Sequence, residues 1–306
     1  MNAVTVNNIV KTYGSKKETV KALDEVSFTV EKGELFGIIG PDGAGKTSLF
    51  RILTTLLLAD SGTAGVDGSD LVKEYKEIRH RVGYMPGKFS LYQDLTVEEN
   101  LEFFASIFNT SIAENYELVK NIYVQIEPFK DRRAGKLSGG MKQKLALCCA
   151  LIHKPSVLFL DEPTTGVDAV SRKEFWEMLK DLKKQGITIL VSTPYMDEAA
   201  MCDRVALMQM GRIMSIDTPG NIISKFSKPL WAVRSQEMYR LLNELKRYES
   251  TESCNSFGEY HHLVLKNDDS NENEILSYLR EHQHKNIDIK RTQPNIEDCF
   301  MQLMQQ

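Results

Sequence analysis

Gly40-Pro41-Asp42-Gly43-Ala44-Gly45-Lys46-Thr47, followed by Ser48, is the stretch on which the fold turns. It satisfies G-x-x-x-x-G-K-[ST], a loop whose glycines let the backbone wrap phosphate groups with its N–H groups turned inward. Residues 34–39 (ELFGII), just before it, form a short apolar run of the kind buried in a sheet. Residues 47–57, just after it, have helical spacing, and the partial positive charge at a helix N-terminus adds to an anion site. Strand, glycine-rich turn and helix is the order a phosphate loop requires. Lys46 is then expected to reach the β- and γ-phosphates of a nucleoside triphosphate, and the Thr47 hydroxyl to ligate Mg2+.

A second stretch supports the first. Val157-Leu158-Phe159-Leu160-Asp161-Glu162 reads as an apolar strand ending in two acids. Asp161, at the strand tip, suits a Mg2+ contact through water, and Glu162 is placed to polarise an attacking water as general base. Two acids after a strand more often open a loop; downstream of a phosphate loop they complete a site. A third stretch, Leu137-Ser138-Gly139-Gly140-Met141, precedes a helical run beginning near Lys142. Ser138 suits an N-cap, and Gly139 and Gly140 expose backbone N–H groups to an anion.

Around these stretches the chain reads as α/β. Residues 4–9 alternate weakly and residues 22–30 more clearly, as half-buried strands do. Residues 97–153 carry helical spacing and read as a mostly helical insert. Residues 171–185 form an amphipathic helix stopping near Gly186, residues 187–191 a buried strand, residues 194–202 a helix and residues 205–210 a strand. Pro219, Gly220 and Pro229 mark breaks. The tail reads as strand 230–234, helix 236–248, strand or hairpin 260–265, helix 273–281, strand 287–291 and helix 296–304, with a polar loop at residues 267–273. The division expected is 1–216 for a nucleotide-binding domain, with a helical subdomain at about 88–155, and 217–306 for a small C-terminal α/β domain of ferredoxin-like order.

Composition narrows the classes. The 306 residues, with 42% hydrophobic and 26% charged, are ordinary for a soluble globular protein. A net charge of -4 argues against a general nucleic-acid binder. No apolar run has the length of a membrane span, and residues 1–14 lack the basic start and apolar middle of a signal peptide, so a cytoplasmic location is expected. The five cysteines have no metal-ligand spacing and read as buried free thiols. Adjacent His261 and His262 would point to opposite faces of a strand, a poor chelate.

Phosphate loop, Leu137–Met141 loop and acidic strand, in this order, resemble the nucleotide-binding domain of the ABC ATPases across roughly residues 1–215. That resemblance implies a P-loop NTPase fold, MgATP as substrate, and two such domains sandwiching two nucleotides head to tail on a separate membrane permease. The chain would lie peripherally on the inner face of the cell membrane. It implies that Tyr13, in KTYG, stacks on adenine, the alternative being an ordinary surface tyrosine. Ser138 and Gly140 would grip the γ-phosphate of ATP held by the opposing subunit, and Asp168, in TTGVD, would lie in the loop that communicates across the sandwich. Residues 88–100 would face the permease. The TTGVD, STPYMDEA and IEDCF segments are similar to the exporter branch that handles drugs, antibiotics or polysaccharides.

Two positions depart from that family pattern. Gly87 stands where glutamine is usual and Pro194 where histidine is usual. Glycine has no side chain to ligate with, and proline has neither imidazole nor N–H. Slow hydrolysis is therefore expected, because losing a positioning contact costs rate. Alternatives stay open: a homodimer with both sites weakened, or a largely non-hydrolytic ATP-gated subunit paired with a complete ATPase. Soluble relatives of translation carry two cassettes, and those of DNA repair long coiled coils; this chain has one cassette and no sustained heptads. The tail's role in regulation, dimerisation or bracing is open as well.

Overall fold

The computed structural model describes residues 1–15, 18–266 and 272–304. The polar loop read at residues 267–273 thus lies outside the described residues as far as Asn271. The chain divides into two compact units, Met1–Pro219 and Gly220–Gln306.

The first unit is built on a six-stranded sheet in the order Arg212–Asp217, Arg204–Gln209, Leu35–Ile39, Thr188–Thr193, Val157–Asp161, Val82–Met85. Neighbours are parallel except for the antiparallel edge strand Arg212–Asp217. Every residue of Leu35–Ile39, Val157–Asp161 and Thr188–Thr193 is buried. Strands covered on both faces read as continuous apolar runs, which is why they stand out in the sequence. Because they are parallel, the loops after all three leave from one edge of the sheet, where open α/β sheets bind ligands.

A second sheet pairs Glu18–Glu31, Asn2–Ser15, Ser61–Val66 and Ser69–Asp70 antiparallel. Its first two strands outrun the expected segments 4–9 and 22–30. Register shifts, with Asn8 at φ 49° and Glu25 at φ 55°, interrupt the alternation that marks a strand. Ser27 Oγ closes this irregularity, accepting from Asn8 N at 2.8 Å and donating to Asn8 Oδ1 at 2.9 Å. Phe28 stacks on Phe36 at 5.5 Å between the sheets, and Phe50 meets Phe159 edge-on at 5.9 Å beneath the phosphate loop. Burying each such ring contributes about 1.5–3 kcal/mol.

Residues 88–155 carry the helices Val97–Ile107, Tyr116–Tyr123 and Gly139–Leu151. Thr96 and Glu99 start the first with a reciprocal capping box. Buried Asn100 donates to Tyr92 O and Thr96 O and accepts from Tyr92 N, pinning the loop ahead of that helix. Elsewhere the boundaries moved. The helix after the phosphate loop is Lys46–Leu53, ending where Thr55 turns to φ 62°. The helix read at 171–185 is Ala169–Lys184, because Asp168 caps it. The helix read at 194–202 is a short 3-10 turn, Met196–Met201.

The boundary between the units falls in the first turn of the helix Pro219–Ser224, where proline suits the start. Its antiparallel sheet runs Thr251–Phe257, Tyr260–Leu265, Leu230–Arg234, Asp288–Arg291. With the helices Met238–Arg247 and Glu272–Glu281, the chain order is β-α-β-β-α-β, that of ferredoxin-like folds. Tyr260–Leu265 is the second arm of a hairpin. Val233, Leu241, Leu263 and Ile275 pack its core. The five cysteines are free and buried, and burial pushes the Cys254 thiol up to about 12.

Candidate functional site

The strand Leu35–Ile39 delivers residues 40–45 to the sheet edge, and the helix Lys46–Leu53 carries the chain away. Gly40 packs so tightly that a Cβ there would stand 2.1 Å from the Met208 carbonyl oxygen. Gly45 adopts φ 106°, with Ala22 O 2.2 Å from the position of a Cβ. Pro41 O accepts from Ala44 N at 3.2 Å, closing the loop, while Asp42 and Gly43 lie exposed at its tip. Lys46, 3% exposed, points its ammonium into this loop, donating to Gly40 O at 2.8 Å and Pro41 O at 3.0 Å. The same Nζ lies 3.1 Å from Glu162 Oε1. The buried ammonium is therefore held between the loop carbonyls and the Glu162 carboxylate.

Asp161 ends its strand 2% exposed, and its Oδ1 accepts from Ser192 Oγ at 2.6 Å. Glu162 follows with φ 50°, left-handed for a side-chain-bearing residue. Its N–H donates to both Ser192 O and Ser192 Oγ at 3.0 Å. Such strain persists where surroundings over-determine it, commonly at active sites. Burial, with the Asp161 charge adding to it, holds the Tyr84 hydroxyl up at about 12. Ser192 was missed in the sequence. The available signal was a pair of hydroxyl residues, Ser192 and Thr193, ending an otherwise apolar parallel strand.

The two departures from pattern fall in the same place. A Cβ on Gly87 would lie 3.0 Å from Asp161 O and 3.8 Å from Glu162 Cβ. Pro194 follows Thr193, whose carbonyl oxygen accepts from Gly40 N at 3.2 Å. Tyr13, 41% exposed, lies over the start of the phosphate-loop helix with its Oη 3.2 Å from Ser48 Oγ.

Ser138, Gly139, Gly140 and Asp168 form a separate cluster. Ser138 caps the helix Gly139–Leu151 by accepting from Met141 N at 3.3 Å. A Cβ on Gly140 would stand 2.9 Å from Ser171 Oγ, so this helix start abuts the start of Ala169–Lys184. Asp168 accepts from Val170 N at 3.1 Å and Ser171 N at 3.0 Å, and the Ser171 bond leads in holding its carboxyl below the ordinary range. Among the described residues, direct contacts join Lys46, Glu162, Asp161 and Gly87 into one group; Asp168 connects to it only indirectly, through Arg172, Glu198 and Thr164.

Among the described residues no three His, Cys, Asp or Glu converge on a point that would cage a metal. Asp161 keeps Oδ2 beyond its bond to Ser192, and Thr47 lies half-buried at the helix start. One carboxylate and one hydroxyl is a protein share that fits Mg2+, which takes its remaining ligands from phosphates and water.

Residues 23–165 match the family described as ABC transporter. The chain is 37% identical over 306 residues to the probable multidrug ABC transporter ATP-binding protein YbhF of Escherichia coli, covering 98% of this chain and 52% of that protein. It thus spans about half the length of that relative. It is 39% identical over 223 residues to the Nod factor export ATP-binding protein I of Burkholderia lata, covering 72% of each. Among solved structures, a dimeric ATP-binding cassette in a post-hydrolysis state with ADP and phosphate matches with TM-score 0.64 at 26% identity, over 70% of this chain and 98% of that one.

Proposed function

The chain belongs to the ABC transporter family of ATP-binding proteins, and on that footing we propose that it is the ATP-hydrolysing motor of an exporter whose permease is a separate chain. The observation that carries this is the Lys46 ammonium, buried inside the phosphate loop and 3.1 Å from the Glu162 carboxylate. Backbone N–H groups of residues 42–46 and the Lys46 ammonium receive the β- and γ-phosphates, and Tyr13 receives the adenine. Asp161 and Thr47 hold Mg2+, which supplies charge neutralisation at the phosphate oxygens. Glu162 orients and deprotonates water for attack on the γ-phosphate. Ser138 and Gly140 close the nucleotide site of a second cassette, and Asp168 sits between the two.

The reading places the membrane path in a permease of another chain, with this chain on the inner membrane face; no helix among the described residues is long and apolar enough to cross a membrane. A cavity of about 490 Å³ between the strand Val82–Met85 and the helical insert, lined by Leu91, Phe104, Ile107 and Phe108, offers an apolar seat beside residues 88–100. Relatives named for multidrug transport and Nod factor export favour export.

Gly87 and Pro194 favour a second reading: a slow subunit that closes on ATP and completes the site of a different, fully equipped partner. The two readings separate by turnover, since a purified homodimer with ordinary turnover abolished by Glu162→Gln excludes the second. The shared premise is tested by ATP binding. Lys46→Ala removes an ammonium worth about 1.5–3 kcal/mol per charge-assisted bond, so ATP affinity is expected to fall roughly 10- to 150-fold in calorimetry. Unchanged affinity would sink both readings.

A further inference from the structure

Behind Pro194 lies a buried carboxylate to which the proposed chemistry assigns no part. Glu198, 3% exposed, accepts from Thr164 Oγ1 at 2.8 Å on one oxygen and from Thr193 Oγ1 at 2.6 Å on the other. Thr164 lies two residues past Glu162. Thr193 ends the strand whose Ser192 holds Asp161 Oδ1 and the Glu162 N–H. Thr193 Oγ1 also accepts from Tyr195 N at 3.0 Å, so the turn through Pro194 closes on the same hydroxyl.

Arg172 completes the cluster. Its Nε lies 3.8 Å from Glu198 Oε1, its Nη2 donates to Asp197 Oδ2 at 3.0 Å, and its guanidinium covers the Tyr195 ring at 4.5 Å. Arg172 N donates to Asp168 O at 2.9 Å, one turn into the helix that Asp168 caps.

A carboxylate at this depth is costly unless its lone pairs are filled and a counter-charge is near. Here each oxygen accepts one hydroxyl bond and the Arg172 guanidinium stands 3.8 Å away, and the partners come from three different segments. The carboxylate therefore works as a rigid pin between them. Glu162, at φ 50°, needs such support: Ser192 fixes its N–H, and the Thr164–Glu198 bond fixes the chain on its far side.

We infer that Glu198 is a positioning residue for Glu162. It locks the turn leaving the acidic strand to the turn carrying Pro194 and, through Arg172, ties both to the helix that begins at Asp168. With no side-chain donor at position 194, the aim of the Glu162 carboxylate depends on this backbone clamp. The inference rests on the reading of Glu162 as general base.

The test compares steady-state ATP turnover and ATP affinity of the whole chain for the wild type, Glu198→Ala, Glu198→Gln, Thr164→Val and Glu162→Gln. Glu198→Ala is expected to lower kcat on the order of 10- to 100-fold, the scale of a misplaced catalytic group. ATP Kd is expected to stay within about twofold, because transition-state alignment is lost and ground-state binding is kept. Glu198→Gln retains an oxygen for one threonine and an amide for the other, and recovers most of the rate. Thr164→Val cuts the same link at nearly constant volume and reports the same split if Glu198→Ala does not fold. Unchanged kcat in Thr164→Val overturns the inference, and so does an affinity loss that matches the rate loss. Glu162→Gln keeps the two levels apart. If it abolishes turnover while Thr164→Val leaves it intact, only the clamp fails; if it leaves turnover intact, the assignment of the base fails.

Discussion

Replacing Pro194 with histidine should raise ATP turnover. The position follows Thr193, whose carbonyl oxygen is bonded to Gly40 N at 3.2 Å, so a side chain there stands at the start of the phosphate loop. The turn does not depend on the pyrrolidine ring, since Tyr195 N already closes on Thr193 Oγ1 at 3.0 Å. Losing proline's restriction of the unfolded chain costs about 0.4–1 kcal/mol, against a typical domain stability of about 5–15 kcal/mol, and the variant should fold. One charge-assisted bond from an imidazole to the terminal phosphate contributes about 1.5–3 kcal/mol. Realised only in the transition state, that is roughly 10- to 150-fold in kcat. Gly87→Gln should gain less alone, because its Cβ would meet Asp161 O at 3.0 Å and the backbone must give by a few tenths of an ångström. The assay is phosphate release at saturating MgATP, with a melting curve to establish folding. A folded Pro194→His variant turning over within about twofold of wild type, where Glu162→Gln abolishes the wild-type rate, refutes the idea that the missing imidazole limits this site.

Two more outcomes are expected. Tyr13→Ala should weaken ATP binding by about 1–3 kcal/mol if the ring stacks on the base, while inorganic triphosphate binding, measured by competition, stays unchanged; equal losses for both would leave Tyr13 a surface residue. Burial of His153, opposed by its bond to Val82 O at 3.0 Å, holds its imidazole pKa below the ordinary 6.5. The folded state then binds this proton less readily than the unfolded one, so the contribution to stability is whole above about pH 6.5 and is lost as pH falls from there through the lower folded pKa. An NMR titration should place the His153 midpoint below 6.5, and a midpoint at or above it contradicts the assignment.

The elements readable in the sequence were those whose pattern is local. The strands Leu35–Ile39 and Val157–Asp161 are buried on both faces and therefore appear as unbroken apolar runs. The phosphate loop is a continuous segment whose glycine spacing, lysine and hydroxyl make one local motif, so it needs no partner from elsewhere to be recognised. The opening hairpin was only half legible, because the irregularity at Asn8 and Glu25 breaks the alternation while Ser27 repairs the hydrogen bonding across the strands. The start of the helix Ala169–Lys184 was misplaced by two residues, since its cap, Asp168, had been read for a role across a dimer and not for the helix itself.

Residue types and their order determined by themselves the α/β class, the phosphate-loop motif, the acidic pair and the two missing side chains at Gly87 and Pro194. Only the tertiary structure decided what holds those groups in place. Ser192 and Glu198 lie 31 and 34 residues from the partners they fix, Asp161 and Thr164, and they reach them because parallel strands end at one edge of the sheet. A hydrogen bond depends on distance and direction in space, and one-dimensional spacing carries neither once the chain has left its own strand.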